Sequence, residues 1–246
     1  MSGHSKWANI KNKKGKADAA RGSVFTKLGR ELAVAVKAGG PDPNSNSRLR
    51  DVISKAKASN MPNDTIMRSI KKASGELNAV NYEEMQYEGY APGGVAVIVT
   101  ALTDNKNRTA GDVRHAFDKC GGSLGSTGCV SYLFNKKGLI VVDKGNFSED
   151  DMMMLVLDAG GDDVADAGDV YEVYTLPQDL YSVKDALEKG GATILSAETG
   201  FFPDDYVKPA EDVIPSIEKL INMLDENDDV QNVYHNADLP EDEEEE

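Results

Sequence analysis

Apolar residues recur at three- and four-residue steps from Ala17 onward, through Val24, Phe25, Leu28, Leu32, Ala35 and Val36. That spacing puts them on one face of a helix, and the "GGP" at Gly39–Pro41 ends it. Ser47–Ser59 repeats the pattern, with Leu49, Val52, Ile53 and Ala56 inward, until "NMP" (Asn60–Pro62) interrupts. A third helix is expected to start at a capping Asn63-Asp64 pair and run through Ile66, Met67, Ile70 and Ala73 to Gly75. Three short helices of this kind make a small bundle.

After about Val80 the period changes. Val95–Leu102 reads as a buried strand, Asn107–Gly121 as a helix with Val113, Ala116 and Phe117 aligned, and "VSYLF" (Val130–Phe134) as a strand. A second series follows: strand Gly138–Lys144, helix Glu149–Ala159, a short strand near Asp163–Ala165, strand Val170–Leu176, helix Leu180–Lys189 and strand Ala192–Glu198. The strand Phe201–Val207, helix Val213–Asn227 and strand Val230–Asn236 then form a half without a neighbouring first half.

Pairing that orphan half with the unit that begins at Val95 gives an economical α+β architecture. It is an N-terminal helical bundle followed by two ferredoxin-like split β-α-β domains, one inserted in the other. The expected division is a basic helical domain 1–78, a discontinuous domain 79–135 plus 201–237, an inserted domain 136–200 and an acidic disordered tail 238–246. One continuous sheet is the alternative.

Composition narrows the class. With 40% hydrophobic and 28% charged residues, the chain has the make-up of a soluble globular protein. The apolar run Gly93–Leu102 is far short of the roughly 20 residues that cross a bilayer, so no membrane partner is expected. The N-terminus lacks an apolar export signal and the only cysteines are Cys120 and Cys129, which points to free, buried thiols in a reducing, cytoplasmic setting.

Charge changes the picture most. The formal net charge is -15, yet Met1–Leu77 holds 16 Lys+Arg against 6 Asp+Glu, while the remainder holds 11 against 36. Such asymmetry points to a nucleic-acid or other anionic partner for the basic part. The stretch "SKWANIKNKKGKADAARG" (Ser5–Gly22) carries six basic side chains and one acidic. Within it Lys6, Lys11, Lys13, Lys14, Lys16 and Arg21 can neutralise phosphates, and Trp7 offers a ring for a base or, equally, an anchor in the core. Lys27, Arg30 and Lys37 extend the basic leader onto the first helix. The closing "EDEEEE" (Glu241–Glu246) is a like-charge block that stays solvated.

Two further segments have the form of anion sites. "DNKNRT" (Asp104–Thr109) lies where a strand hands over to a helix, so Asn107 or Thr109 can cap it and Lys106, Arg108 and Arg114, with His115, form a second phosphate-contact patch. "GGSLGSTG" (Gly121–Gly128) resembles a phosphate cradle but lacks the P-loop Lys-Ser/Thr pair, which favours a helix-to-strand connection using glycine for positive φ. The spacings H-E-x-x-H, G-x-S-x-G and paired C-x-x-C are absent, and His4, His115 and His235 stand without ligand-spaced neighbours. An enzyme, a metal site and a cofactor are therefore not expected.

The segments "GHSKWANIK" (Gly3–Lys11), "FTKLGREL" (Phe25–Leu32), "AGGPDP" (Ala38–Pro43), "YEGYAPGGVA" (Tyr87–Ala96), "DNKNRT", "VRHAF" (Val113–Phe117), "SYLF" (Ser131–Phe134) and "DDVQNVYHN" (Asp228–Asn236) resemble the YebC/PmpR family. The resemblance implies a three-domain α+β protein without known catalysis, classed as a DNA-binding transcriptional regulator. Mitochondrial members are translational activators, and bacterial members are connected with ribosomes stalled on proline-rich sequences. Ala20, Ser23 and Asn12 stand where members often carry basic residues or a His, and the acidic tail is long for the family. Two nucleic-acid readings follow, a DNA-binding regulator and a ribosome-associated factor contacting rRNA or tRNA by shape. A small-molecule sensor is a third reading, and a monomer is expected.

Overall fold

The computed structural model describes residues 21–75, 80–145 and 147–239. Three helices open it: α1 (Arg21–Gly39), α2 (Ser47–Ala58) and α3 (Asn63–Ser74). Leu28, Leu32, Ala35, Val36, Leu49, Val52, Ala56, Ile66 and Ile70 pack into one buried cluster, so the apolar stripes read from the sequence face one another. The α3 cap differs from expectation: Pro62 holds the N-cap position without a side-chain bond, and Asn63 is the first helical residue.

Asn46 joins α1 to α2. Its side-chain oxygen accepts from Leu49 N at 3.0 Å, while Nδ2 donates to Ala35 O at 2.8 Å and Gly40 O at 2.7 Å. One buried amide thus serves an orphan N–H at one helix start and orphan carbonyls at another helix end.

The remaining elements are β1 (Glu83–Tyr90), β2 (Ala96–Thr103), α4 (Lys106–Lys119), β3 (Ser123–Leu124), β4 (Phe134–Asp143), α5 (Glu149–Ala159), β5 (Asp163–Asp166), β6 (Val170–Thr175), α6 (Leu180–Lys189), β7 (Ile194–Pro203), α7 (Ile214–Asp225) and β8 (Val230–His235). They form two four-stranded sheets, ordered β3-β1-β2-β8 and β5-β6-β4-β7, with every neighbouring pair antiparallel. The chain is α+β, with N-terminal helices followed by antiparallel sheets. The described residues from Arg21 to Leu133 together with Asp205–Leu239 belong to one compact unit, and Phe134–Asp204 to the other.

In the second sheet two split β-α-β units interlock, each placing a strand of the other between its own pair. The first sheet has the same spatial order, but the strand between β2 and β3 is β1, which precedes both in the chain. β1 is not among the strands expected from the sequence, which place that half at Phe201–Val207. Instead Phe201 and Phe202 continue β7, opposite Lys136 and Asn135 of β4. β7 is an outer strand, where Pro203 is tolerated.

"VSYLF" also differs from expectation: Ser131–Leu133 is a 3-10 turn and Phe134 begins β4. β1 escaped notice because its buried end carries Glu88 and Gly89 rather than aliphatic residues. Gly89 is required there, since an added Cβ would lie 2.5 Å from Ser123 O and 2.8 Å from Phe117 Cε1. The absence of a side chain lets α4 press directly onto the strand. Val97 and Val99 of β2, Val113 and Phe117 of α4, and Ile217, Leu220 and Leu224 of α7 complete that core.

Candidate nucleic-acid interface

Helix α1 is tied to the first sheet and α7 by its own cations. Lys27 Nζ donates to Asp225 O at 2.6 Å, at the last residue of α7, where a cation complements the helix dipole. Arg30 Nη1 donates to Leu102 O at 2.8 Å and pairs with Asp229, and its guanidinium lies 5.4 Å from the Tyr82 ring centroid. Ser23 Oγ donates to Asp228 Oδ1 at 3.0 Å. Two of the expected phosphate contacts, Lys27 and Arg30, therefore have partners inside the protein.

The second expected patch is built around the same carboxylate. Asn105 caps α4 by accepting from Arg108 N at 3.1 Å, so the cap is neither Asn107 nor Thr109, both of which lie within the helix. Thr109 instead donates through Oγ1 to Asp229 Oδ2 at 2.6 Å, Thr103 Oγ1 donates to the same oxygen at 3.2 Å, and Arg108 Nη2 reaches it at 2.8 Å. Arg108 also pairs with Asp104 at 2.8 Å. Asp229, only 4% exposed in its side chain, is the anion that this helix start holds.

Burial alone would raise the Asp229 pKa, but hydrogen bonds from Thr109, Arg30 and Arg108 outweigh it and hold the carboxyl down to about 2. Asp229, followed by Asp104, raises the Arg108 pKa above its ordinary value.

The chain at and just after the end of the glycine-rich segment repeats this arrangement. Glu88, buried on β1, accepts from Val130 N at 3.0 Å and Ser131 N at 2.9 Å, with Gln86 Nε2 at 3.0 Å. Desolvation pushes its pKa up, and the backbone donors at Val130, Gly128 and Ser131 bring it below the ordinary value. Gly128, at φ +91°, supplies the left-handed turn. The donors to Glu88 are thus Gly128, the last residue of the segment, and the two residues Val130 and Ser131 just beyond it, and the anion they hold is the protein's own.

Other cations remain outward. Arg50 and Lys57 on α2, Arg68, Lys71 and Lys72 on α3, and Arg114 on α4 are exposed and have no ion pair among the described residues. By contrast Lys55 pairs with Glu31, Arg48 with Glu84 and Lys106 with Glu83. Arg21 opens α1. Lys6, Trp7, Lys11, Lys13, Lys14 and Lys16 lie outside the described residues, as does the chain beyond Leu239.

A groove of about 230 Å³ runs between α1, α3 and the segment entering β1, lined among others by Phe25, Arg30, Lys37, Ser69, Lys72 and Tyr82. Tyr82 and Ser69 were not singled out from the sequence. Periodicity weighs a helix stripe, not what two helices and a strand entrance enclose together. Among the described residues no group of three His, Cys, Asp or Glu side chains is placed to hold a metal, and no helix is long and apolar enough to cross a membrane.

Residues 5–76 match the model of the TACO1/YebC protein N-terminal domain, and residues 82–237 that of the TACO1/YebC second and third domain. Similar proteins include a "Probable transcriptional regulatory protein" of Clostridium botulinum strain Okra, 59% identical with 98% of each chain covered. Another of that name, from Acetivibrio thermocellus, is 57% identical over 96% of this chain and 98% of its own. The crystal structure of a conserved hypothetical protein from Aquifex aeolicus superimposes with a TM-score of 0.83 at 47% identity, covering 94% of this chain and 96% of that one.

Proposed function

Because the chain belongs to the TACO1/YebC family, we propose that it is a nucleic-acid-binding regulator of gene expression that works without catalysis, its main role being DNA-binding control of transcription. The observation that carries this reading is the set of exposed cations on α2 and α3 that have no ion pair among the described residues, a surface that attracts a phosphate backbone. The names of the relatives, probable transcriptional regulatory proteins, agree with it. In this proposal the protein acts in the cytoplasm as a monomer. The basic segment 1–78 meets nucleic acid, while 79–135 with 201–237 and the inserted 136–200 act as separate acidic domains, followed by the tail 238–246. Lys6, Trp7, Lys11, Lys13, Lys14, Lys16 and Arg21 extend the contact.

A second reading, a translation factor that contacts rRNA or tRNA and relieves stalled elongation, for example on proline-rich sequences, draws on the charge layout. Beyond Leu77 the chain holds 11 Lys+Arg against 36 Asp+Glu, and this excess repels a long duplex laid across the protein but not an RNA site that receives only the basic end.

Titrating duplex DNA and structured RNA across a salt series, beside ribosome sedimentation of lysate, tests both. Contact with five to eight phosphates predicts a log–log salt slope of roughly -4 to -7. Co-sedimentation that is lost in a Lys11→Ala, Lys13→Ala, Lys14→Ala variant selects the ribosomal reading, sequence-preferring duplex binding selects the transcriptional one, and a slope near zero for every nucleic acid sinks both.

A further inference from the structure

The groove between α1 and α3 combines features that the rest of the basic surface lacks. Lys37 and Lys72 line it, and among the described residues no carboxylate does. Lys37 Nζ donates to Asn81 Oδ1 at 3.0 Å and Val80 O at 3.3 Å, both neutral acceptors, and it pairs with no carboxylate among the described residues. Lys72 has no ion pair among the described residues. Arg30, at the groove wall, is neutralised by Asp229 through Nη1, while its Nε–H is buried and lacks an acceptor among the described residues. Such a buried donor is costly unless an acceptor reaches it.

Two half-buried aromatic rings, Phe25 and Tyr82, complete the lining, beside the hydroxyl groups of Thr26 and Ser69 and the side-chain-free Gly29. Two ammonium groups without a carboxylate partner among the described residues call for an anion, and adjoining rings call for a flat apolar body. A phosphate joined through a ribose to a nucleobase satisfies both, because every base has a face that stacks on an aromatic ring. The volume, about 230 Å³, falls below the roughly 300–1,000 Å³ of pockets that enclose drug-sized ligands, so it suits one such unit rather than a folded motif.

We infer that this groove receives a single unpaired nucleotide, with its phosphate on Lys37 and Lys72 and its base against Phe25 and Tyr82. The inference rests on the nucleic-acid reading above for its choice of ligand and adds a stacking site to what is otherwise backbone attraction. The nucleotide can come from a single-stranded end or from a free mononucleotide, and the two sources share this chemistry.

The test uses the full chain, isotope-labelled, titrated with adenosine 5′-monophosphate, inorganic phosphate, adenosine and a ten-nucleotide single-stranded RNA while the amides of Gly29, Ala33 and Ser69 are followed by NMR. Saturable shifts at those amides are expected with the monophosphate, tighter than with phosphate or adenosine alone. Lys72→Glu, an exposed change that leaves the fold intact, should weaken binding about tenfold or more, and Lys72→Arg should keep it. Tyr82→Leu should reduce the monophosphate to the affinity of plain phosphate.

The inference is overturned by unmoved amides, by Lys72→Glu binding as tightly as the unchanged protein, or by phosphate matching the monophosphate. If the RNA binds elsewhere and these amides stay silent, the groove proposal fails while the nucleic-acid reading stands. If the monophosphate fills the groove and no polynucleotide binds anywhere, the groove proposal holds for the free ligand and the regulator reading fails.

Discussion

The cations around the start of α4 and those along α2 and α3 belong to the same compact unit, yet they meet opposite neighbours. At α4, Arg108 faces Asp229 and Asp104, Lys106 faces Glu83, and Arg30 reaches in from α1 to the same Asp229. On α2 and α3, Arg50, Lys57, Arg68, Lys71 and Lys72 face solvent without a carboxylate among the described residues. The difference separates two uses of positive charge. The first holds helices and sheet together, and the second stays available to an external anion.

The largest effect that can break this comparison is removal of the shared carboxylate. Asp229→Asn takes the counter-charge from Arg30 and Arg108 at once, and breaking a buried pair is costly, so unfolding should become easier by about 2–4 kcal/mol in a urea titration. An unchanged midpoint would mean that the cluster is not structural.

Next comes a titration. The folded-state pKa of Asp229, about 2, lies below its ordinary 3.8, so its contribution is present above about pH 4 and is lost as pH falls through about 2. A shift of this size corresponds to roughly 2 kcal/mol, and the Asp229→Asn variant should lack that part of the acid-induced loss. Glu88, also held below its ordinary value, contributes in the same direction and remains in the variant.

A smaller effect on the sheet side comes from Glu88→Ala. It leaves the buried amide of Val130 and the half-buried amide of Ser131 without their acceptor and should cost about 1–3 kcal/mol, with faster hydrogen exchange at those two amides as the local readout.

On the exposed side stability should hardly move. Arg68→Ala with Lys71→Ala should stay within about 0.5 kcal/mol of the unchanged protein and still flatten the salt slope of duplex binding by about 2. Arg114→Ala is the mildest case, and its slope should change by at most about 1. A thermal shift without a slope change in either variant would place those residues with the Asp229 cluster instead.

The sequence made the helices and most strands legible because their apolar spacing is local. Leu28, Leu32 and Val36 announce α1 without reference to anything distant, as Leu139 to Val142 announce β4. β1 was hidden because its burial depends on Gly89 meeting Phe117 and Ser123, and no period records a missing side chain. Likewise the basic residues were visible, but whether each is spent or free depends on partners far away in the chain. Arg30 lies 199 residues from Asp229, and Arg108 lies 121. The patch at the start of α4 does hold a carboxylate, and so do the backbone amides just beyond the glycine-rich segment. Composition could not tell an external phosphate from Asp229 or Glu88.

The interruption of the first sheet between β3 and α7 has a consequence for the order in which the chain can fold. β2 needs β8, whose residues are made only after the whole of Phe134–Asp204, whereas β4 through β7 are contiguous. As synthesis proceeds from the N-terminus, the interior segment has all its strands before the sheet it interrupts has its last. Val97, Val99 and Phe117 must wait for Ile217, Leu220 and Leu224 to cover them. The nascent chain therefore passes through a stage in which every strand of its later-numbered sheet exists while the earlier-numbered one still lacks β8, and its apolar face lacks the cover of α7.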